Sequence, residues 1–352
     1  MCIIEISAEF QYDFSMTSSK NRKAAIKKLK YLYLPVKSDV KAFRNKMDEV
    51  FSTPFIPSKV ELTERDYGGI LCDVLNPEIY NSRKIVLYIH GGCFTGGSRK
   101  SCRNFAAVLA NSVNCRVVVP EFRLAPAHPF PSSLEDLQTV FKNIFMEEQI
   151  ALSLEEGFNS KNQRIPNIII MASTSGASLA LGLIQTISEN KLKSIKNIFL
   201  FSPWLDLSDN SFIFSQKKLS DELTSKEAVR RAVEFYTFHD NVSSPLVSPA
   251  KIPPHILKKF PAIFIQSGEN EIMLEDTKRF QKLVEDAGGE CIIDIWPKMM
   301  GMFQLMDDFL DESHLAVEKI GNFLNQRKIT VFDSQEKIQL KLETKDDFIK
   351  HQ

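Results

Sequence analysis

Ile168-Ile169-Ile170-Met171-Ala172-Ser173-Thr174-Ser175-Gly176-Ala177-Ser178 is an apolar run that stops in a turn of small residues and continues with helical periodicity. A short β-branched strand, a tight turn and a helix opening on small residues form the repeating unit of a mostly parallel sheet covered on both faces. Outward from this stretch the pattern recurs. Continuous apolar runs lie at 85–89, 116–119, 198–201, 262–265 and 291–295, and the runs at 60–67 and 70–75 are joined by Gly68-Gly69 as an antiparallel edge pair. Helical periodicity fills the intervals at 102–112, 134–146, 176–188, 275–287 and 307–324. The expected fold class is α/β: eight strands, mostly parallel, flanked by helices. Residues 1–59 and 206–244 are helix-rich without strand signals and are expected to form a helical cap over the α/β domain of 60–325, while 326–352 reads as a charged C-terminal tail.

Composition narrows the function classes. Hydrophobic residues make up 43% and charged residues 25%, the balance of an ordinary globular chain rather than a disordered one. Lys plus Arg and Asp plus Glu are 44 each, so net charge points to neither nucleic acid nor an anionic membrane as partner. The six cysteines, at 2, 72, 93, 102, 115 and 291, show no CxxC spacing, which argues against a zinc site and a disulfide framework. No apolar run reaches the roughly 18 residues needed to span a bilayer. The expectation is a cytoplasmic protein without transmembrane segment. The basic run Lys20–Lys30 is read as a cap helix, with membrane-surface binding as the alternative.

In an open α/β sheet, ligands bind beyond the carboxyl ends of the strands, so the loops there carry the chemistry. His90-Gly91-Gly92-Cys93 follows the strand ending at Ile89, and a glycine pair lets backbone N–H groups converge on a developing oxyanion. Phe122-Arg123-Leu124-Ala125-Pro126-Ala127-His128-Pro129-Phe130-Pro131 follows the next strand and is fixed by its prolines. Gly91 to Gly97 lacks the spacing of a dinucleotide fingerprint, and nothing implies a cofactor or metal.

With those segments, and with Ser202-Pro203-Trp204-Leu205-Asp206, Ser248-Pro249 and Gly268-Glu269-Asn270-Glu271 in order, residues 40–325 resemble the hormone-sensitive-lipase and arylacetamide-deacetylase branch of the α/β-hydrolase carboxylesterases. The resemblance implies a nucleophile at the centre of a Gly-x-Ser-x-Gly elbow, an acid after a later strand and a histidine after the last. Carried over, the nucleophile position falls on Thr174 with Ala172 in place of the first glycine, and the acid falls on Glu271. The histidine position falls on Gly301, within Trp296-Pro297-Lys298-Met299-Met300-Gly301-Met302-Phe303. Gly91, Gly92 and the Ser175 amide are the expected oxyanion hole, and the Ser173 and Ser175 side chains are expected to turn into the sheet–helix packing.

A β-branched residue fits a strained elbow poorly, and a loop without imidazole has no proton shuttle near neutral pH. The leading expectation is therefore a pseudoenzyme that keeps its oxyanion loop and binds a small apolar or ester-like ligand, or a protein partner. The alternative is a diverged carboxylesterase acting on short-chain esters through Thr174, with a base such as His239. A third reading gives the work to the surface or the tail.

Overall fold

An eight-stranded sheet runs through the protein in the order β1-β2-β4-β3-β5-β6-β7-β8. The computed structural model describes residues 18–52, 59–79, 83–156, 164–215 and 221–324, so the tail at 326–352 and residues 1–17 of the first cap segment lie outside it. The strands are β1 (Val60–Asp66), β2 (Leu71–Pro77), β3 (Lys84–Ile89), β4 (Arg116–Pro120), β5 (Asn167–Ser173), β6 (Ile195–Phe201), β7 (Ile263–Gly268) and β8 (Cys291–Trp296). β1 pairs antiparallel with β2, and β2 with β4; every later pairing is parallel. The edge hairpin turns at Gly68 and Gly69, whose φ of 74° and 91° a side chain would resist. The Ile- and Val-rich central strands are buried along nearly their whole length, as expected for strands covered on both faces.

The helices are α1 (Ser19–Leu29), α2 (Val40–Phe51), α3 (Arg99–Val113), α4 (Ser132–Glu156), α5 (Ser175–Thr186), α6 (Glu189–Leu192), α7 (Phe212–Ser215), α8 (Lys226–Tyr236), α9 (Pro254–Leu257), α10 (Leu274–Asp286) and α11 (Asp311–Leu324). α3 packs on β2 and β4, α5 on β5, and α10 on β8. Two expectations need correction. The helix beginning at 134 continues to Glu156 rather than ending at 146; its last turns leave Met146, Ile150 and Leu154 exposed, so the apolar pattern there is not a core pattern. The helix expected from 307 starts at Asp311. Before it, Phe309 and Leu310 N–H both donate to the Met306 carbonyl, a single turn that buries Met306 and Leu310.

The segments outside the sheet lie against its functional loops. α1 buries Ala25, Ile26 and Leu29 within the protein, which accounts for the apolar positions of the basic run. Arg44 donates to the Thr95 and Ala125 carbonyls. Arg231 on α8 donates to the Pro35 and Ser38 carbonyls, and Arg22 pairs with Glu222 at 2.8 Å. Among the described residues, no helix is long and apolar enough to cross a membrane.

Candidate active site

β5 ends at Ser173, and the chain reverses sharply into α5 through Thr174, whose φ of 42° and ψ of −119° lie in a region that L residues seldom occupy. A β-branched residue held there is strained by order 1–3 kcal/mol, and it persists because its surroundings fix it. The Thr174 N–H donates to the Phe201 carbonyl at 2.9 Å and its own carbonyl accepts from Trp204 N–H at 3.1 Å. Gly176 is required one step on: a Cβ there would collide with the Ile89 and His90 carbonyls, so its bare backbone lets α5 approach the end of β3. The strand–elbow–helix geometry of a nucleophile site is intact, with threonine at its centre.

The loop after β3 closes over this elbow. A Cβ on Gly91 would strike the Thr174 hydroxyl, which places that oxygen directly against the Gly91 backbone. Gly92, at φ 116°, turns the loop so that its carbonyl accepts from Thr95 and Gly96 N–H. His90 is stacked on Phe122 and its Nδ1 lies 2.8 Å from the Gly91 carbonyl; burial lowers its pKa, so it is a neutral loop brace.

The flanking serines do more than pack. Ser173 Oγ lies 3.0 Å from Tyr88 Oη and accepts from Gly91 N–H at 2.9 Å. Ser175 Oγ accepts from Phe94 N–H at 3.1 Å. Both side chains are buried as expected, but each ties the oxyanion loop to the elbow. This corrects the part expected of Gly91: its N–H is engaged by Ser173 and is not free for an oxyanion. The Ser175 N–H sits in the first turn of α5, where backbone donors have no intrahelical partner, and among the described residues nothing accepts from Gly92 N–H.

Beside the elbow stands an aromatic wall. Phe94 stacks on Tyr236 with ring centroids 3.9 Å apart, and Trp204 meets Phe94 edge-on at 5.8 Å. All three are buried, and two of them bond by their backbones to Thr174 or Ser175.

The acid and base loops are joined to each other. Glu269 N–H donates to the Trp296 carbonyl, Asn270 N–H to the Met299 carbonyl, and the Glu269 carboxylate accepts from Lys298 N–H at 2.8 Å. Met302 N–H donates to Ser202 Oγ at 2.8 Å. The structure thus brings Glu271 and Gly301 together: a Cβ built on Gly301 would lie 3.2 Å from Glu271 Oε2 and 2.7 Å from Tyr33 Oη.

Glu271 is nine-tenths buried, and neither carboxyl oxygen has a hydrogen-bond partner. Burial pushes its pKa up to about 7; the nearby Ser267 and Ser202 hydroxyls oppose the shift, although neither reaches hydrogen-bond geometry, and Asp221 adds to it. Tyr33 is buried too, and burial followed by the charges of Asp221 and Glu271 holds its phenol well above the usual tyrosine range.

No described histidine serves Thr174. His239 and His314 are 78% and 70% exposed and face Asp209 and Asp307, so the proposed base His239 is ruled out by its position. His128 and His255 are also exposed, and His351 lies outside the described residues. Tyr33, 268 positions from Gly301 in sequence, escaped the motif reading because it belongs to no motif and only the fold brings it there. An open groove on the β1–β2 edge, lined by Lys59, Glu61, Arg65, Glu78 and Arg116 among others, contains none of the site residues.

A fold of this kind with a strained strand-to-helix elbow and a glycine loop beside it defines the α/β-hydrolases. Residues 86–305 match the family model described as alpha/beta hydrolase fold, and the chain belongs to that family. It is 29% identical over 246 residues to an esterase of Acinetobacter venetianus, covering 69% of this chain and 75% of that protein. It is 26% identical to an acetyl-hydrolase of Streptomyces hygroscopicus, covering 68% and 75%. A crystal structure of an esterase from the bacterial hormone-sensitive lipase family superposes with a TM-score of 0.74 at 21% identity, over 88% of this chain and 99% of that one. The resemblance carried by the motifs thus holds at the level of family and fold.

Proposed function

We propose that this protein is a ligand-binding member of the carboxylic ester hydrolase lineage, a pseudoenzyme that keeps its elbow and oxyanion loop and does not turn esters over efficiently. The observation that carries the proposal is the pairing at Gly301. A glycine faces the buried Glu271 carboxyl, and a tyrosine hydroxyl stands 2.7 Å from the point where the side chain of a base would begin. Loss of a triad base costs about a millionfold in turnover, while binding and oxyanion contacts alone keep roughly 10³–10⁴ over water. The similarity to an esterase and an acetyl-hydrolase supports an ester-like or carboxylic ligand, and the Phe94–Trp204–Tyr236 wall supports an apolar body for it. In this reading the segments 1–59 and 206–244 act as the cap, and the cysteines among the described residues, all buried free thiols, suit a reducing cytoplasm.

A second reading, a slow carboxylesterase of short-chain esters using Thr174, is favoured by two observations. The elbow backbone is retained, and Glu271, with a pKa of about 7, is ready to accept a proton near neutrality. Labelling by a fluorophosphonate separates the two. The intact mass of the protein stays unchanged if the site binds without chemistry, whereas a phosphonyl adduct mapped to Thr174 establishes a working nucleophile and removes the pseudoenzyme reading.

A further inference from the structure

Three observations meet where the acid loop, the Gly301 loop and the N-terminal segment come together. Glu271 is a nine-tenths buried carboxyl with both oxygens unpartnered, and the neighbouring Ser267 hydroxyl is buried and unpartnered as well. Tyr33 Oη and Glu271 Oε2 both lie within 3.2 Å of the point where a Gly301 side chain would start, yet they do not bond to each other. Tyr33 is also held firmly. On one side of it Leu34 N–H donates to Cys93 Sγ; on the other, the Cys93 thiol donates to the Leu32 carbonyl, so the oxyanion loop grips the chain at both neighbours. Arg231 fastens the following residues through Pro35 and Ser38.

The second acidic group here is already satisfied. Asp221 accepts from Leu223 N–H at 2.7 Å and from Ile272 N–H at 2.8 Å. The unmet capacity therefore belongs to Glu271, an acceptor, set close to Tyr33, whose phenol keeps its proton and donates. A buried polar group without a partner is costly, so a ligand that satisfies it gains in affinity.

We propose that Tyr33 and Glu271 form a recognition subsite for a ligand hydroxyl, the phenol donating to its oxygen and the carboxyl accepting its hydrogen. A hydroxyl is the small neutral group that accepts and donates through one atom, as this pair requires. Above pH 7, where Glu271 is ionised and only accepts, an ether lacks the hydrogen for it, and an ammonium lacks the lone pair for Tyr33. Resting on the ligand-binding reading above, the inference adds that the ligand is an apolar alcohol, its hydroxyl held between Tyr33 and Glu271.

The test uses 4-phenyl-1-butanol, its methyl ether and 4-phenylbutylamine, titrated calorimetrically into the full-length protein at pH 8.5, where the Glu271 carboxylate accepts and does not donate. The alcohol is expected to bind about tenfold more tightly than the ether. That preference is expected to vanish in Tyr33→Phe, which keeps the ring, and in Glu271→Leu, which replaces the orphan carboxyl by an apolar group of similar size. Equal binding of alcohol and ether, tighter binding of the amine, no binding of any probe, or a preference that survives both substitutions overturns the proposal. Failure of the ligand-binding reading shows separately, as p-nitrophenyl butyrate turnover by the wild type that Thr174→Ala abolishes while the alcohol preference stands.

Discussion

Thr174 and Gly301 are read differently once their neighbours are known. The sequence motif places both, because each sits at a fixed offset in a strand-to-loop segment. It cannot show that Tyr33 Oη would stand 2.7 Å from a Gly301 side chain. Restoring the triad by Thr174→Ser with Gly301→His therefore meets the buried Tyr33 hydroxyl, on a segment that Cys93 holds at both neighbouring residues. That double variant is expected to stay close to wild-type hydrolysis, and adding Tyr33→Phe, which removes the obstructing oxygen, is expected to raise the rate by about a hundredfold or more, since a general base contributes on that scale. A double variant as active as the triple would show that Tyr33 does not hold the base's place.

Glu271 makes a second claim at this scale. Burial pushes its carboxyl up to about 7 in the fold from an ordinary value of 4.5, so the folded protein keeps this proton over a window in which the unfolded chain releases it. The contribution to stability is present in full below about pH 4.5 and is lost as pH rises through 7. Relative to Glu271→Leu, which has no proton to hold, the wild type is expected to lose about 3 kcal/mol between pH 4.5 and 8. Urea titrations across that range check it; parallel curves for the two proteins would contradict the burial of this carboxyl.

At the scale of elements, legibility followed burial. The Ile- and Val-rich strands were readable because a strand covered on both faces must be continuously apolar, and Ile168–Ile170 and Val117–Val119 are fully so. Helix ends were less readable where the pattern had other causes: Met146, Ile150 and Leu154 extend α4 without entering the core, and Met306 and Leu310 enter the core from the turn before α11. Packing between helices left one local sign, Gly321 inside α11, where Ala would ordinarily be the better helix former by about 1 kcal/mol. A Cβ there collides with the Ser112 carbonyl of α3. Gly321→Ala is accordingly expected to destabilise by about 1–3 kcal/mol in urea melts, against its helix propensity. A stabilising effect would mean that α3 and α11 do not touch at this point.

For the whole molecule, the alternation of strands and helices gave the class of fold, and the order of the motif loops gave the family. The path of the N-terminal segment was not legible. No periodicity reports that Leu32 and Leu34 are to be gripped by Cys93, or that Arg231 will hold Pro35 and Ser38. These long-range contacts set Tyr33 beside Gly301, and the proposal of binding without efficient turnover rests on that pairing. Its most direct test is hydrolysis of p-nitrophenyl butyrate by the wild type beside Thr174→Ala. Coincident rates for the two are the expected result, and a wild-type rate that falls by about a hundredfold or more on loss of the Thr174 hydroxyl, the scale on which a working nucleophile acts, would contradict it.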